Sequence, residues 1–217
     1  GVLLTFFLLT QSLVMLNFLI GWKNSAFITP IAFILSMLIV YWFLKSEVIQ
    51  FSKWFLISAI SLAIIIASIV IAGSFYDMSW DGLWYHQTAV YQMAHGWNPI
   101  YDPMHNFNPH LQDWVRHYAK GPWYIALALY NITGDIESAK AAPWIALCAT
   151  FLVIYSVLID FGFRQHTSVQ IAALLSFNPV SAFELASYLV DGLMISFLAC
   201  FVAAMFSWIR KQSKFTL

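Results

Sequence analysis

Long apolar runs separated by short polar turns dominate the chain. A transmembrane helix needs about 20 mostly apolar residues to cross about 30 Å of hydrocarbon. Five runs approach this length, and a sixth, weaker run contains Pro179: residues 2–20, 25–44, 54–75, 142–159, 192–209 and 168–182. The pattern predicts an all-α integral membrane protein with about six transmembrane helices.

Composition supports the membrane class and excludes two others. Of the 217 residues, 61% are hydrophobic and only 9% are charged, whereas soluble domains carry about 25% charged residues. The formal net charge is zero, and nucleic-acid binding needs a strong basic excess. We therefore expect the lipid bilayer as a partner and no nucleic acid.

Residues 75–141 differ from the rest of the chain. They hold nine of the twenty charges and five of the six histidines. The apolar stretch 122–132 is too short to span and predicts a helix lying along the membrane surface. We therefore predict three parts: residues 1–74 with three transmembrane helices, an external loop at 75–141 with juxtamembrane helices and the candidate active site, and residues 142–217 with about three further transmembrane helices.

Basic residues orient this arrangement, because short cytoplasmic loops carry the excess of Lys and Arg. The short loops and the segment after the last helix contain Lys45, Lys53, Arg164, Arg210, Lys211 and Lys214. With these inside, residues 75–141 and Asp191 lie outside. The expected location is a bacterial inner membrane, with residues 75–141 on the periplasmic side.

The densest polar cluster begins where the third apolar run ends. Asp77 and Asp81 are four residues apart, so on a continuous helix they would share a face. Trp80, Trp84 and Tyr85 surround them in the sequence, and a partly desolvated carboxylate suits a general base. The alternative is that both carboxylates cap helix ends at the water boundary.

Three further charged residues are candidate ligand contacts. Arg116 and Lys120 precede the short apolar stretch, where an arginine fork and a lysine point charge would hold a phosphate. Anionic lipid headgroups are the alternative partner of such residues. Asp191 adjoins a charge-free stretch, which makes it a functional candidate, or else a helix N-cap.

The sequence predicts no particular cofactor. No pair among the loop histidines has helical metal-ligand spacing with a carboxylate, and His105 and His110 are five residues apart. We therefore assign no metal ligands. Binding of a divalent metal ion is the alternative, and its site would combine carboxylates with histidine.

Four segments together resemble the first external loop of GT-C glycosyltransferases. They are 81–86 (DGLWYH), 96–99 (GWNP), 120–124 (KGPWY) and 134–140 (GDIESAK). The nearest branch contains protein O-mannosyltransferases and the bacterial aminoarabinose transferase, and the resemblance covers roughly residues 75–210. Gly82 stands where many members have Glu, and Gly121 replaces the first Pro of a Lys-Pro-Pro element.

The resemblance implies inverting transfer of a sugar from a polyprenyl-phosphate donor to an acceptor on the external face. Asp81 maps to the catalytic aspartate that acts as general base. Lys120 maps to the lysine on the donor phosphate, and Asp191 to an aspartate facing the same cavity. Asp77 is a second catalytic candidate, which the local sequence pattern suggests independently of the resemblance. Arg116, His86 and Tyr85 are further candidates for substrate binding.

Two other classes of function remain at this stage. Family members carry many more helices than six, so the chain would be such an enzyme or its N-terminal portion. A non-catalytic membrane subunit or scaffold, bound to partner subunits of a larger complex, is the alternative. A transporter or channel is disfavoured, because the predicted spans are nearly free of charge through their centres.

Overall fold

The computed structural model describes the main chain of residues 1–44, 51–103 and 109–213, and this part contains helices and no strand. A π-helical turn, Gly82–His86, leads into α4, and a 3-10 turn, Ser138–Ala141, leads into α7. The α-helices are α1 (Val2–Leu19), α2 (Ile28–Leu44), α3 (Phe51–Gly73), α4 (Gln87–Ala94), α5 (Pro109–His117), α6 (Gly121–Thr133), α7 (Ala142–Asp160), α8 (Gln165–Ser176), α9 (Pro179–Glu184) and α10 (Asp191–Ser213). The all-α prediction is confirmed.

Four stretches are long and apolar enough to cross a membrane: Val2–Leu19, Phe51–Gly73, Ser138–Asp160 and Asp191–Arg210. At 1.5 Å per residue, helices of 18 to 23 residues extend about 27–35 Å. The chain thus has the helices of a multi-pass membrane protein. The apolar helix α2 has 17 residues and is shorter than these four.

The prediction of a continuous span over residues 168–182 is wrong. Helix α8 ends at Ser176, and Asn178 adopts an extended backbone before α9 begins at Pro179. The Asn178 side chain caps α9 by accepting a hydrogen bond from the Ser181 amide. Proline lacks an N–H and disfavours helical geometry in the preceding residue, so the helix breaks here. The prediction of six spans is not confirmed.

The chain divides into two compact units. One comprises Gly1–Ala142 with Ala186–Leu189, and the other Pro143–Leu185 with Val190–Leu217. Residues 1–74 and 75–141, which the sequence suggested as separate parts, pack together in the first unit.

Helix α6 lies in the core of the first unit. It contacts α1, α2, α4 and the 3-10 turn, and every residue from 123 to 129 is buried. The Thr29 hydroxyl of α2 donates a 2.9 Å hydrogen bond to the Ala128 carbonyl. The short helix predicted here thus has the expected length, but protein surrounds it on all sides. The reason is that apolar side chains lie all round this helix, and such a helix favours burial.

A buried lysine fastens the end of α3 to the 3-10 turn. Lys140 is 1% exposed; its ammonium pairs with the Glu137 carboxylate and donates to the Phe75 carbonyl. Gly73 makes the close approach possible, because a Cβ there would lie 2.5 Å from the Ser138 hydroxyl. The chain entering the charged segment is therefore held at a defined point.

The second unit packs α7, α8 and α10 around small side chains. Ile154, Ala172 and Ala203, one from each helix, form its buried cluster. The Thr150 hydroxyl of α7 donates to its own helix and reaches the Ser196 carbonyl of α10 at 3.3 Å. Small residues allow such close helix approach inside a membrane.

Candidate functional site

Asp77 closes a tight turn between α3 and the π-helical turn. Its carboxylate accepts hydrogen bonds from the Ser79 amide at 2.8 Å, the Ser79 hydroxyl at 2.7 Å and the Tyr188 amide at 2.8 Å. Asp77 is 1% exposed. This is the Asx-type turn that aspartate favours. Asp77 precedes the helix that contains Asp81, so the two do not share a helical face, and the catalytic role of Asp77 stays a prediction.

Gly82 is required by this turn. A Cβ at Gly82 would lie 2.0 Å from Asp77 Oδ2 and 2.3 Å from Ser79 Oγ. The Gly82 amide itself donates to Ser79 Oγ at 3.1 Å. The structure therefore gives a local reason for glycine at a position where many members of the resembled family carry Glu.

Asp81 is half-buried at the start of the π-helical turn. The Tyr85 hydroxyl donates a hydrogen bond to its carboxylate. Burial is the main cause that raises the pKa of Tyr85, and the neighbouring Tyr118 and Asp81 raise it further. Tyr85 is therefore a neutral donor at physiological pH, and it orients the carboxylate predicted to be the general base.

His86 is a fully buried histidine. Its Nδ1 accepts a 2.7 Å hydrogen bond from the Trp123 indole, which places the ring proton on Nε2. That Nε2 has no hydrogen-bond partner among the described residues. Burial lowers the pKa of His86 to about 4, although the Asp77 carboxylate acts in the opposite direction. His86 is therefore neutral at pH 7, and its predicted contact with substrate stays a prediction.

An aromatic cluster of Tyr85, His86, Trp114, Tyr118 and Trp123 joins the π-helical turn to α5 and α6. Tyr85 stacks on Trp114 with ring centroids 6.0 Å apart, and Tyr118 stacks on Trp123 at 5.6 Å. Tyr85 and Tyr118 are 5.4 Å apart. Through Tyr85, which interacts with Asp81, the cluster connects this carboxylate with the segment that contains Lys120.

Arg116 and Lys120 line one pocket of about 340 Å³, which we call the cationic pocket. Gln112 and the loop 97–103 form its remaining walls. The Lys120 ammonium donates to the carbonyls of Arg116 at 2.9 Å and Tyr118 at 2.6 Å, and lies 5.3 Å from the Trp123 ring. Burial lowers the pKa of Lys120. The two cations predicted to hold a phosphate thus lie together.

Asp102 shapes the loop that walls the cationic pocket. Its carboxylate accepts from the Asn98 amide at 3.0 Å, and its carbonyl accepts from the Trp97 indole at 3.1 Å. The Tyr101 hydroxyl donates to the Leu19 carbonyl of α1 at 2.9 Å. The sequence placed Trp97 and Asn98 in one of the segments that carry the resemblance but gave them no role in a pocket, and Asp102 was not a candidate site residue.

A second pocket, of about 610 Å³, lies on the other side of this loop and shares Tyr101 and Asp102 with the cationic pocket. Trp22 and Lys23, from the turn between α1 and α2, and His95, at the end of α4, line it. The loop therefore contributes polar and aromatic groups to the walls of both pockets.

The predicted site residue Asp191 belongs to the second unit, where it is exposed in the first turn of α10. The neighbouring Glu184 caps this helix, because its buried carboxylate accepts a 2.6 Å hydrogen bond from the Gly192 amide. Burial is the main cause that raises the pKa of Glu184, with the Asp191 charge adding to it. That Asp191 faces a cavity shared with Asp81 and Lys120 stays a prediction.

The described residues hold no group of three or more His, Cys, Asp and Glu side chains placed to bind a metal ion. His105, one of the histidines considered from the sequence, lies outside the described ranges. A metal site of carboxylates and histidine gains no support from this part of the chain.

Comparison of the chain with protein-family models, with curated proteins and with solved structures found no match. The residues and their geometry therefore carry the functional argument.

Proposed function

We propose that the chain is a membrane glycosyltransferase of the GT-C type, or part of one, that transfers a sugar from a polyprenyl-phosphate donor to an acceptor on the external face. The observation that carries this proposal is the cationic pocket, where Arg116 and Lys120 meet beside the aromatic cluster that contacts Asp81. Residues 75–141 face the periplasm of a bacterial inner membrane in this proposal.

The donor phosphate binds in the cationic pocket. Arginine offers a fork of donors and lysine a compact charge, a combination that suits phosphate oxygens. The half-buried position of Lys120 and its short hydrogen bonds to two carbonyls hold the ammonium in place. A fixed cation in a partly desolvated site stabilises charge on a leaving phosphate better than one in water.

Asp81 acts on the acceptor in a single displacement. The acceptor oxygen or nitrogen attacks the anomeric carbon and gives its proton to Asp81. The bond from that carbon to the phosphate oxygen breaks, and its electron pair leaves with the polyprenyl phosphate. Tyr85 occupies one position on the Asp81 carboxylate, and the other lone pairs remain for the acceptor.

The test of the base uses the full chain in proteoliposomes with radiolabelled undecaprenyl-phosphate hexoses and pentoses as donors. Asp81→Asn should lower kcat roughly 100-fold or more, since general-base catalysis contributes about 10²–10⁴-fold. Asp113→Asn removes an exposed carboxylate from α5 and should leave the rate unchanged. Equal rates for Asp81→Asn and the unmodified chain would refute the proposed base.

The test of the donor site separates binding from chemistry. Lys120→Met should raise KM for the donor roughly 10- to 100-fold, as expected for loss of about 1.5–3 kcal/mol from a charged hydrogen bond. Lys53→Met, at the start of α3, is the matched control. An unchanged KM in Lys120→Met would exclude the cationic pocket as the phosphate site.

The proposed orientation is tested with membrane-impermeant maleimide on single cysteine variants. Cysteine in place of exposed Asp113 should react from the periplasmic side, and cysteine in place of exposed Arg164 only after the membrane is opened. The reverse pattern would refute the orientation. An inactive chain that co-purifies with a stoichiometric membrane partner, and is indifferent to Asp81→Asn, would favour the non-catalytic subunit instead.

A further inference from the structure

The second pocket, of about 610 Å³, lies where residues 98–102 meet the end of α1. Two hydrogen bonds fasten the loop there. The Asn98 side-chain amide donates to the Phe18 carbonyl at 2.9 Å, and the Tyr101 hydroxyl donates to the Leu19 carbonyl at 2.9 Å. The last carbonyls of a helix lack partners within it, so these side chains complete the end of α1. The volume is within the range of about 300–1,000 Å³ that small-molecule sites occupy.

One part of the pocket wall offers hydrogen-bond donors that have no acceptor. Lys23 and Asn24, from the turn between α1 and α2, both line it. In the described part of the chain, the Lys23 ammonium forms no ion pair and no hydrogen bond. The Asn24 side-chain nitrogen is buried and likewise unpartnered there, although the side-chain oxygen accepts from Asn17. A buried donor without an acceptor is costly, and an anionic oxygen in the pocket would satisfy both groups.

Another part of the wall offers acceptors and aromatic faces. The Asp102 carboxylate accepts from the Asn98 amide and forms no ion pair with a described residue. His95 Nδ1 donates to the Tyr91 carbonyl at 2.7 Å, which leaves Nε2 of the neutral ring as an acceptor. The Trp22 and Tyr101 rings are 69% and 62% exposed. Carboxylate, imidazole and aromatic faces together favour a cationic group that carries N–H donors.

The position of the pocket along α1 indicates which molecules reach it. Helix α1 is long and apolar enough to cross a membrane and ends at Leu19. Leu19 and Ile20 are 41% and 49% exposed, as expected of side chains that contact lipid. The headgroup layer adds about 5–7 Å on each side of the hydrocarbon core. Lys23 and Asn24 follow this helix end directly, so with α1 spanning the bilayer the pocket lies at the depth of the headgroups.

We infer that the second pocket binds the phosphoethanolamine headgroup of one phospholipid. The phosphate lies at Lys23 and Asn24, and the primary ammonium at Asp102 and His95. Both charges of this headgroup then meet a group of opposite charge that has no ion-pair partner among the described residues. Phosphatidylglycerol has no cation for Asp102, and the quaternary ammonium of phosphatidylcholine has no N–H to donate. The inference does not depend on the proposed glycosyl transfer.

The experiment counts the lipids that the full chain retains. The protein is reconstituted in vesicles of equal parts phosphatidylethanolamine, phosphatidylcholine and phosphatidylglycerol with identical acyl chains, transferred to mild detergent, and analysed by native mass spectrometry. The unmodified chain should retain one phosphatidylethanolamine about tenfold in preference to each other lipid, as expected for charge-assisted hydrogen bonds. Equal retention of the three lipids, or a preference for either of the other two, would overturn the inference.

A second arm separates the lipid from its free headgroup. Water-soluble glycerophosphoethanolamine is added to the delipidated chain in the same detergent. Retention of this compound would show that the headgroup alone is sufficient. Retention of phosphatidylethanolamine without it would show that the acyl chains are also required. Retention of neither compound would overturn the inference.

Two exposed charges locate the site, each with a matched control. Lys23→Gln should lower retention of phosphatidylethanolamine about tenfold or more, whereas Lys53→Gln, which removes an exposed lysine of α3, should not. Asp102→Asn keeps an oxygen for the Asn98 amide and should abolish the preference over phosphatidylcholine. Asp113→Asn should preserve that preference. Unchanged retention in Lys23→Gln, or an unchanged preference in Asp102→Asn, would overturn the inference.

A third variant tests the unpartnered amide. Asn24→Asp keeps the oxygen that accepts from Asn17 but replaces the buried donor with a negatively charged acceptor. It should lower retention of phosphatidylethanolamine about tenfold or more, because the carboxylate repels the phosphate. Circular dichroism in the same detergent checks that the variant is folded. Full retention by a folded Asn24→Asp chain would overturn the placement of the phosphate.

Discussion

The buried histidine of the aromatic cluster gives the protein a predictable dependence of stability on pH. His86 has a pKa of about 4 in the folded chain and 6.5 as the reference for the unfolded chain. Between these two pKa values, the unfolded state therefore binds a proton at His86 that the folded state does not bind. Stability is unaffected by this residue above pH 6.5, falls as the pH drops from 6.5 to 4, and falls no further below that.

The size of the effect follows from the two pKa values. A difference of about 2.5 pH units corresponds to about 3 kcal/mol in total, of which about 2 kcal/mol is lost by pH 5. The physical source is desolvation, because a charged imidazole would be enclosed by Tyr118 and Trp123 and would lose Nδ1 as an acceptor. Asp77 offsets part of this cost.

The assay is reversible unfolding in mixed detergent micelles, followed by circular dichroism between pH 5 and 8. The unmodified chain should lose about 2 kcal/mol more than His86→Gln between pH 7.5 and 5. Glutamine keeps a possible acceptor for Trp123 but does not titrate. His95→Gln, at an exposed position, should retain the full pH dependence. Parallel pH profiles for the unmodified chain and His86→Gln would refute the buried neutral histidine.

Three further substitutions test the surroundings of the site by the same unfolding assay. Gly82→Ala should destabilise by about 2–4 kcal/mol, because its Cβ displaces the Asp77 carboxylate from charged hydrogen bonds; a loss below about 0.5 kcal/mol would contradict this. Lys140→Met should cost about 2–4 kcal/mol, because the half-buried Glu137 carboxylate loses its cation and keeps the Asp77 amide as a donor; an unchanged midpoint would refute that role. Glu184→Ala should cost about 1–2 kcal/mol through loss of a helix cap, whereas Glu184→Gln should retain most of the stability; equal losses in both would argue against capping.

Much of the site could be proposed from the sequence because its signals are local. Arg116 and Lys120, the pair proposed to bind a phosphate, are four residues apart in the sequence, and both line one pocket. Asp81 and Tyr85 are likewise four residues apart and contact each other. The turn of Asp77 with Ser79 follows from the aspartate's short side chain, which reaches the amide two residues on.

Other parts of the site depend on contacts that no local pattern encodes. The third hydrogen bond to Asp77 comes from Tyr188, 111 residues further along the chain. The partner of His86 is Trp123, 37 residues away. Such long-range contacts determine whether a polar side chain is buried in the core or accessible to a ligand.

By itself, the sequence determined the membrane class, the all-helical architecture and the position of the charged segment, because hydropathy and helix length depend on residues close together in the chain. Tertiary structure decided that the helix at Gly121–Thr133 is enclosed rather than superficial, that residues 165–184 form two short helices, and that the apolar face of α10 contains a groove. Hydropathy reports how apolar a segment is, and only packing determines whether protein or lipid covers it.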